Sequence, residues 1–171
     1  MGILLRNHAK IVQFISLANE ITGRKKLQKM IFIAKKMNFT FAEKYQFHMY
    51  GPYSEELTLR VEELCEMGFL QEEFNDKGAY VQYKYNVTSE GERFLSTADG
   101  AHERLNSCID LMKDKSSRFL ELVSTLLYFD HLVKNEQIEK LHIVKNKLNF
   151  TDVEINTAFE FIEEMQKNSA N

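Results

Sequence analysis

From Gly68 to Gly91 the chain reads GFLQEEFNDKGAYVQYKYNVTSEG, and this stretch decides the fold. Phe69 to Phe74 is predicted to form one strand. Tyr80 to Val87 forms a second, in which Val81, Tyr83, Tyr85 and Val87 alternate with Gln82, Lys84 and Asn86. Asn75-Asp76-Lys77-Gly78 supplies turn residues between them, so the segment reads as a β-hairpin. On its upstream side, Gly68 suits the left-handed turn that closes a helix. On its downstream side, Ser89 and Glu92 have the spacing of a capping box and start another helix.

The elements before the hairpin follow from apolar spacing. Ser54 is placed to cap a helix whose inward face is Leu57, Val61, Leu64 and Cys65. Residues 43–50 carry Tyr45, Phe47 and Met49 in alternation, a strand that Gly51-Pro52 breaks. Earlier still, His8 to Ile21 repeats apolar residues at helical spacing (Ile11, Phe14, Ile15, Ala18, Ile21) and stops at Thr22-Gly23. A second helix follows with Leu27, Met30, Ile31, Ala34 and Met37 as its buried stripe and Lys25, Lys26, Lys29, Lys35 and Lys36 on its other face. Helix, helix, strand, helix and a two-stranded wing is the order of a winged helix-turn-helix. The expected fold is therefore mainly α, with a winged helix-turn-helix domain over residues 1–99.

Gly100 marks the expected boundary to a C-terminal helical region, residues 100–171. Helical patterns occupy about 101–115, 117–133, 136–148 and 151–167. Phe119 to Phe129 is apolar on nearly every side, as befits a helix buried between others. Thr151 and Glu154 form a capping box, and Phe150 is placed to pack on Ile155 as a hydrophobic staple. This half reads as a bundle packed on the first half, or as an arm through which two copies form a homodimer.

Composition bounds the class. The 171 residues are 44% hydrophobic and 27% charged, with one proline and seven glycines, which fits a helical globular protein. Cys65 and Cys108 fall on apolar helical faces and read as small core hydrophobes. Met1 to Leu5 is too short an apolar run before Arg6 and His8 for a secretory signal, and no stretch approaches the roughly 20 apolar residues of a membrane span. A cytoplasmic location without a membrane partner is expected. The net charge of −3 conceals a balance of +7 over residues 1–53 and −7 over residues 54–100. Either the surface has a positive and a negative face, or the two segments face each other.

Catalytic chemistry is not signalled. His8, His48, His102, His131 and His142 form no HExxH or HxH pattern, and Asp130 and His131, adjacent on a helix, point about 100° apart. No glycine-rich phosphate loop or GxSxG nucleophile motif is present. The carboxylate pairs Glu55-Glu56, Glu62-Glu63 and Glu163-Glu164 lie on polar helical faces. No catalytic residue, metal site or cofactor is expected.

Binding is the remaining role. DNA readers of this fold class present basic or amide side chains on the helix before the wing. Here that helix offers Glu55, Glu56, Glu62, Glu63 and Glu66 against Arg60 alone, which opposes contact with phosphates. A nucleic acid would have to use Arg24, Lys25, Lys26 and Lys29 on the second helix instead. A protein partner fits better. The turn Tyr50-Gly51-Pro52-Tyr53 has interface composition, and Glu55, Glu56, Glu62 and Glu63 would complement a basic partner. The same turn also reads as a structural corner that packs on the third helix.

The runs Ile21-Thr22-Gly23-Arg24-Lys25-Lys26-Leu27-Gln28-Lys29 and Glu43-Lys44-Tyr45-Gln46-Phe47-His48-Met49-Tyr50-Gly51-Pro52-Tyr53-Ser54-Glu55-Glu56-Leu57 resemble the YwgA family of Firmicutes proteins, as does Leu64-Cys65-Glu66-Met67-Gly68-Phe69-Leu70. More distantly, Lys26-Leu27-Gln28-Lys29 and Tyr50-Gly51-Pro52 look like the signatures of the Panacea domain, which is associated with antitoxins that bind their toxins directly. The resemblance implies a bacterial or phage origin and a binding role, and it carries over no catalytic residue. The leading expectation is a non-enzymatic regulatory or antitoxin-like protein. Its rivals are a DNA-binding transcriptional regulator using the basic second helix and a structural subunit of a phage or defence assembly.

Overall fold

A computed structural model describes residues 3–96 and 102–169; the boundary expected at Gly100 lies outside the described residues. Helix α1 (Ile3–Ala18) ends three residues earlier than its apolar spacing predicts, because Asn19 takes the left-handed conformation (φ 69°) and turns the chain into strand β1 (Glu20–Thr22). Ile21 is therefore a buried strand residue. Helix α2 (Arg24–Lys36) follows. Every residue from Leu27 to Ala34 is buried, so α2 is a central helix covered on all sides.

That burial corrects the expected basic face. The side that carries the lysines is covered by helices α5 (Glu103–Met112) and α6 (Ser117–Tyr128) from the C-terminal half and by the segment around Glu43. Lys26 Nζ donates to the carbonyl of Lys113, Lys35 Nζ donates to that of Glu43, and Lys36 pairs with Asp130 at 2.9 Å. Lys29 is only 3% exposed. Long aliphatic stems let lysines lie along apolar surface while the amine finds an acceptor, and residue type alone does not tell this from a solvated face.

The strand expected over 43–50 is shorter and has a partner. β2 (Gln46–His48) pairs antiparallel with β3 (Gly51–Tyr53) in the register Gln46↔Tyr53, Phe47↔Pro52 and His48↔Gly51. Gly51-Pro52 thus forms the return strand, and Met49-Tyr50 is the turn. Proline is tolerated because this two-stranded ribbon has edges that need no donor. Ser54 caps α3 (Glu55–Glu66) as expected, its hydroxyl accepting the N–H of Leu57 at 3.1 Å.

Strands β4 (Leu70–Asp76) and β5 (Val81–Val87) form the expected hairpin, and β1 adds to it in the order β1-β5-β4. The first strand runs to Asp76, so the turn is Lys77 to Tyr80, closed by Lys77 N–H on the Tyr80 carbonyl at 2.9 Å. Helix α4 (Ser89–Leu95) is capped by Thr88 and not by Ser89. The Thr88 hydroxyl accepts from Gly91 N–H at 3.0 Å and donates to the Gly68 carbonyl at 2.5 Å, which ties both flanks of the hairpin together.

Helix α6 stops at Tyr128, short of the expected 133, where Phe129 to Leu132 turns into helix α7 (Lys134–Val144). A single 3-10 turn (Asn146–Leu148) leads to α8 (Asp152–Ser169). The capping box is present: Glu154 N–H donates to Thr151 Oγ1 and Thr151 N–H to Glu154 Oε1, each at 3.1 Å. Phe150 and Ile155 are both buried. Buried side chains of α1, α2 and α3 merge with those of α5, α6 and α8 into one cluster, from Phe14, Ile31 and Leu57 to Ile109, Leu120 and Phe161. Both cysteines are free thiols; Cys108 is buried, which pushes its thiol up to about 12, and Cys65 is half-buried. Among the described residues, no helix is long and apolar enough to cross a membrane.

Two expectations follow from these contacts. A Cβ at Gly91 would stand 2.2 Å from the Phe69 carbonyl oxygen and 2.6 Å from a Val87 methyl. Gly91→Ala should therefore destabilise the protein by about 2 kcal/mol in urea unfolding, although alanine is the better helix former by roughly 1 kcal/mol. In addition, Arg118 grips Glu154 through two hydrogen bonds (2.8 and 3.1 Å), and with the Thr151 cap this holds the Glu154 carboxyl down to about 2. A carboxyl lowered on folding adds stability above its unfolded value, and that contribution is lost as pH falls through the folded one. Thermal melting of Glu154→Gln should accordingly fall less steeply with pH than the parent between about 4.5 and 2.

Candidate functional site

The segment that positions the site is the start of α2. Gln28 is 7% exposed, and its side-chain amide faces the backbone of Ser54. It accepts the Ser54 N–H at 2.9 Å and donates to the Ser54 carbonyl at 2.9 Å, with a further contact to Thr58 Oγ1 at 3.0 Å. This exchange of two hydrogen bonds copies what a neighbouring strand would offer. It fixes the end of β3 and the cap of α3 against α2. Tyr53 Oη bonds Thr58 Oγ1 at 2.8 Å, and its ring stacks on His48 at 4.9 Å.

The β2–β3 ribbon is held from the other side by Lys145, a residue that sequence reasoning passed over. Lys145 is 5% exposed and reaches from the end of α7 to donate to the Met49 carbonyl (2.6 Å) and to Glu121 (2.8 Å). Gly51 adopts φ +100°, a conformation that L side chains rarely take, while the ribbon lies over Ser124 and Thr125 of α6. A Pro-flanked turn signals a corner, but nothing near Lys145 in the sequence points to a contact 96 residues away.

Between the ribbon, the start of α2, α3 and strands β4 and β5 lies a cleft of about 510 Å³. Leu27, Pro52, Leu57 and Val61 give it an apolar floor, and Tyr53, Thr58 and Gln28 add polar groups. At one end Arg24 lies 3.6 Å over the Tyr83 ring and contacts Tyr85 Oη (3.2 Å) and Glu72 (3.4 Å), while Tyr85 donates to Glu72 at 2.5 Å. Burial and the neighbouring Glu72 carboxylate push the Tyr85 phenol well above its ordinary range. At the other end Lys25 Nζ lies 3.2 Å from the centre of the Tyr50 ring, and Lys29 forms part of the wall.

The anticipated residues thus divide. Tyr50 (53% exposed) stands outward beside Met49, and Glu55, Glu62 and Glu63 are exposed on α3. Tyr53 is half-buried, and Gly51 and Pro52 are buried, so these three shape the site from beneath. Glu56 is half-buried, held by Lys44 N–H at 3.0 Å and Arg60 at 3.8 Å, and Glu63 contacts His8 at 3.3 Å. Of the basic residues, Arg24 and Lys25 line the cleft mouth and Lys29 its wall, while Lys26 is turned to the Lys113 carbonyl. Leu59 was missed. It is 57% exposed and falls in line with Glu55, Glu62 and Glu66 at helical spacing. Among the described residues, no group of three or more His, Cys, Asp or Glu side chains could hold a metal ion.

Fold and site define a mainly helical protein with a small antiparallel sheet and a side cleft roofed by a tyrosine-bearing ribbon. The chain is 52% identical over 164 residues to the protein of Bacillus subtilis (strain 168) named "Uncharacterized protein YwgA", a match covering 96% of this chain and 99% of that one. This chain belongs to the YwgA family. No protein-family model matches it.

Removing the Gln28 amide tests how the site is held. Gln28→Met keeps the side-chain length but leaves the buried Ser54 N–H without its acceptor. The expected cost is about 1–3 kcal/mol in urea unfolding, with faster hydrogen exchange at the Ser54 amide.

Proposed function

We infer that the protein works without catalysis, as a regulatory or antitoxin-like binding protein that docks a basic segment of another protein. The observation that carries this reading is the outer stripe of α3. Glu55, Leu59, Glu62 and Glu66 are all exposed at i, i+4, i+7 and i+11, so three carboxylates surround one solvent-facing leucine. Met49, which is 81% exposed, and Tyr50 stand at the tip of the ribbon across the cleft that Glu62 also lines. An apolar anchor ringed by like charges suits a partner with basic residues around an apolar one, since complementary fields set orientation and on-rate while the anchors supply affinity.

The scaffold reading is a winged helix. Its support is the order α1, β1, α2, β2, β3, α3, β4, β5 with the sheet order β1-β5-β4. On that reading α3 is the helix that would enter a DNA groove, and its carboxylates turn the same position towards a protein. Lys29 lies within the cleft wall, out of reach of a duplex backbone, and Lys26 is engaged by the Lys113 carbonyl, so two of the four basic residues a nucleic acid would need are not on its surface. The antitoxin-like character rests on the distant likeness of the Lys26–Lys29 and Tyr50–Pro52 motifs to the Panacea domain.

The reading is tested by capture of partners on the tagged full chain from native host lysate, in parallel with and without nuclease, with bound protein and bound DNA both identified. A stoichiometric protein is expected. Titration with that purified protein should then show Tyr50→Ala weakening the complex by more than about 1 kcal/mol. The double reversal Glu62→Lys and Glu66→Lys should weaken it further, with an effect that shrinks in high salt. A defined DNA sequence recovered in place of a protein, and held more tightly by the charge-reversed variant, would overturn the assignment.

A further inference from the structure

The lysine end of the cleft holds charge that the protein does not neutralise. Lys29 is only 3% exposed and forms part of the cleft wall, and its amine makes no ion pair or hydrogen bond among the described residues. The carboxylate nearest in effect is Glu121, which is already bonded to Lys145 at 2.8 Å. Lys25 stands one turn earlier on the same face of α2, and its charge opposes that of Lys29. Burial and these two neighbouring lysines hold the Lys29 amine below its ordinary range.

The other charges facing the cleft do not change this balance at the α2 end. Arg24 is matched by Glu72. His48 is stacked on Tyr53. Glu62 faces in from α3, on the opposite wall. Arg24 and Lys25 are also the first two residues of α2, whose N-cap, Gly23, makes no side-chain capping bond, so the positive end of the helix dipole adds to the same field. Unpaired ammonium groups at one end, an apolar floor and carboxylates at the far end form a polarised cavity of the size that takes a cofactor-sized molecule.

We propose that this cleft binds a small phosphorylated metabolite with a flat, hydrogen-bond-donating body, the chemistry of a nucleoside monophosphate. Its phosphate sits between Lys25 and Lys29, its body lies on Leu27, Pro52 and Leu57, and its exocyclic donors face Glu62. Two ammonium charges match a phosphate dianion, and lysine binds phosphate as a point charge without needing bidentate geometry. The bound molecule would lie directly under Tyr50, whose ring is already in contact with Lys25. The proposal does not depend on the protein-partner reading.

Calorimetric titration with adenosine and guanosine monophosphates tests it, with inorganic phosphate and a glutamate-rich peptide as further probes. The full chain should bind at least one mononucleotide more tightly than inorganic phosphate. Lys29→Met should weaken that binding at least tenfold while melting at the same or a higher temperature than the parent, because it replaces an unpaired buried charge with an apolar side chain of similar length. Lys25→Met, at an exposed position, should weaken binding without altering melting. Lys77→Met, in the β4–β5 turn, makes the same change in net charge and should leave affinity unaltered. The proposal is overturned by equal affinity in Lys29→Met and Lys77→Met, by no binding of either mononucleotide to the parent, or by tighter binding of the acidic peptide than of the mononucleotides.

Discussion

The paired hydrogen bonds between the Gln28 amide and the Ser54 backbone are the constraint on which the site depends. Ser54 is fully buried, follows directly on β3 and caps α3. One side chain of α2 therefore sets the position of the ribbon, the first turn of α3 and the cleft between them. Its energetic logic is asymmetric. A hydrogen bond made in the interior adds only about 1 kcal/mol net, whereas a buried donor left without an acceptor costs more. Such a clamp selects one arrangement of three elements more than it stabilises the fold as a whole.

The clamp works because α2 is central. A helix buried from Leu27 to Ala34 meets neighbours on every side, and most of its polar residues bond to them, Lys29 excepted. Gln28 finds Ser54, Lys35 finds the Glu43 carbonyl and Lys26 the Lys113 carbonyl. Lys145 does from the C-terminal half what Gln28 does from α2, holding the Met49 carbonyl from the other side of the ribbon. The tyrosine turn is thus clamped between two parts of the chain far apart in sequence. Rigid mounting suits a binding surface, because little side-chain and loop freedom remains to be lost on association.

What was legible in the sequence was local. The β4–β5 hairpin, the Ser54 cap and the Thr151–Glu154 box are set by residues within a few positions of one another; the cap and the box formed where spacing placed them, and the hairpin formed with its turn two residues later than expected. Where the competition was close, boundaries moved. Thr88 and Ser89 are both good caps, and the one whose hydroxyl also reaches the Gly68 carbonyl is the cap. Apolar spacing ran α1 on to Ile21, but a buried strand residue and a helical one look alike when only one turn is at issue. The lysines of α2 were misread for a deeper reason: whether a cation faces water or a carbonyl depends on what the last seventy residues cover. The cleft was illegible for the same reason, since its walls come from α2, the ribbon, α3 and two strands.

The charge asymmetry along the chain acquires its meaning only in three dimensions. Cross-pairs of both senses join the two segments: Arg24 meets Glu72 and His8 meets Glu63, while the two acids of the basic segment, Glu20 and the buried Glu43, meet Lys84 and Arg60. Most of these contacts are partly exposed and each adds at most about 1 kcal/mol, so their weight lies in choosing which faces come together. Two sets of charges stand outside these pairs and border one opening. On the outer stripe of α3, Glu55, Glu62 and Glu66 stay exposed around Leu59; at the start of α2, Lys25 and Lys29 stay without a carboxylate of their own. The two remainders have opposite sign and meet at the same cleft, which Glu62 and Lys29 both line. Two charged sets of opposite sign on either side of one opening give whatever arrives there one favoured orientation.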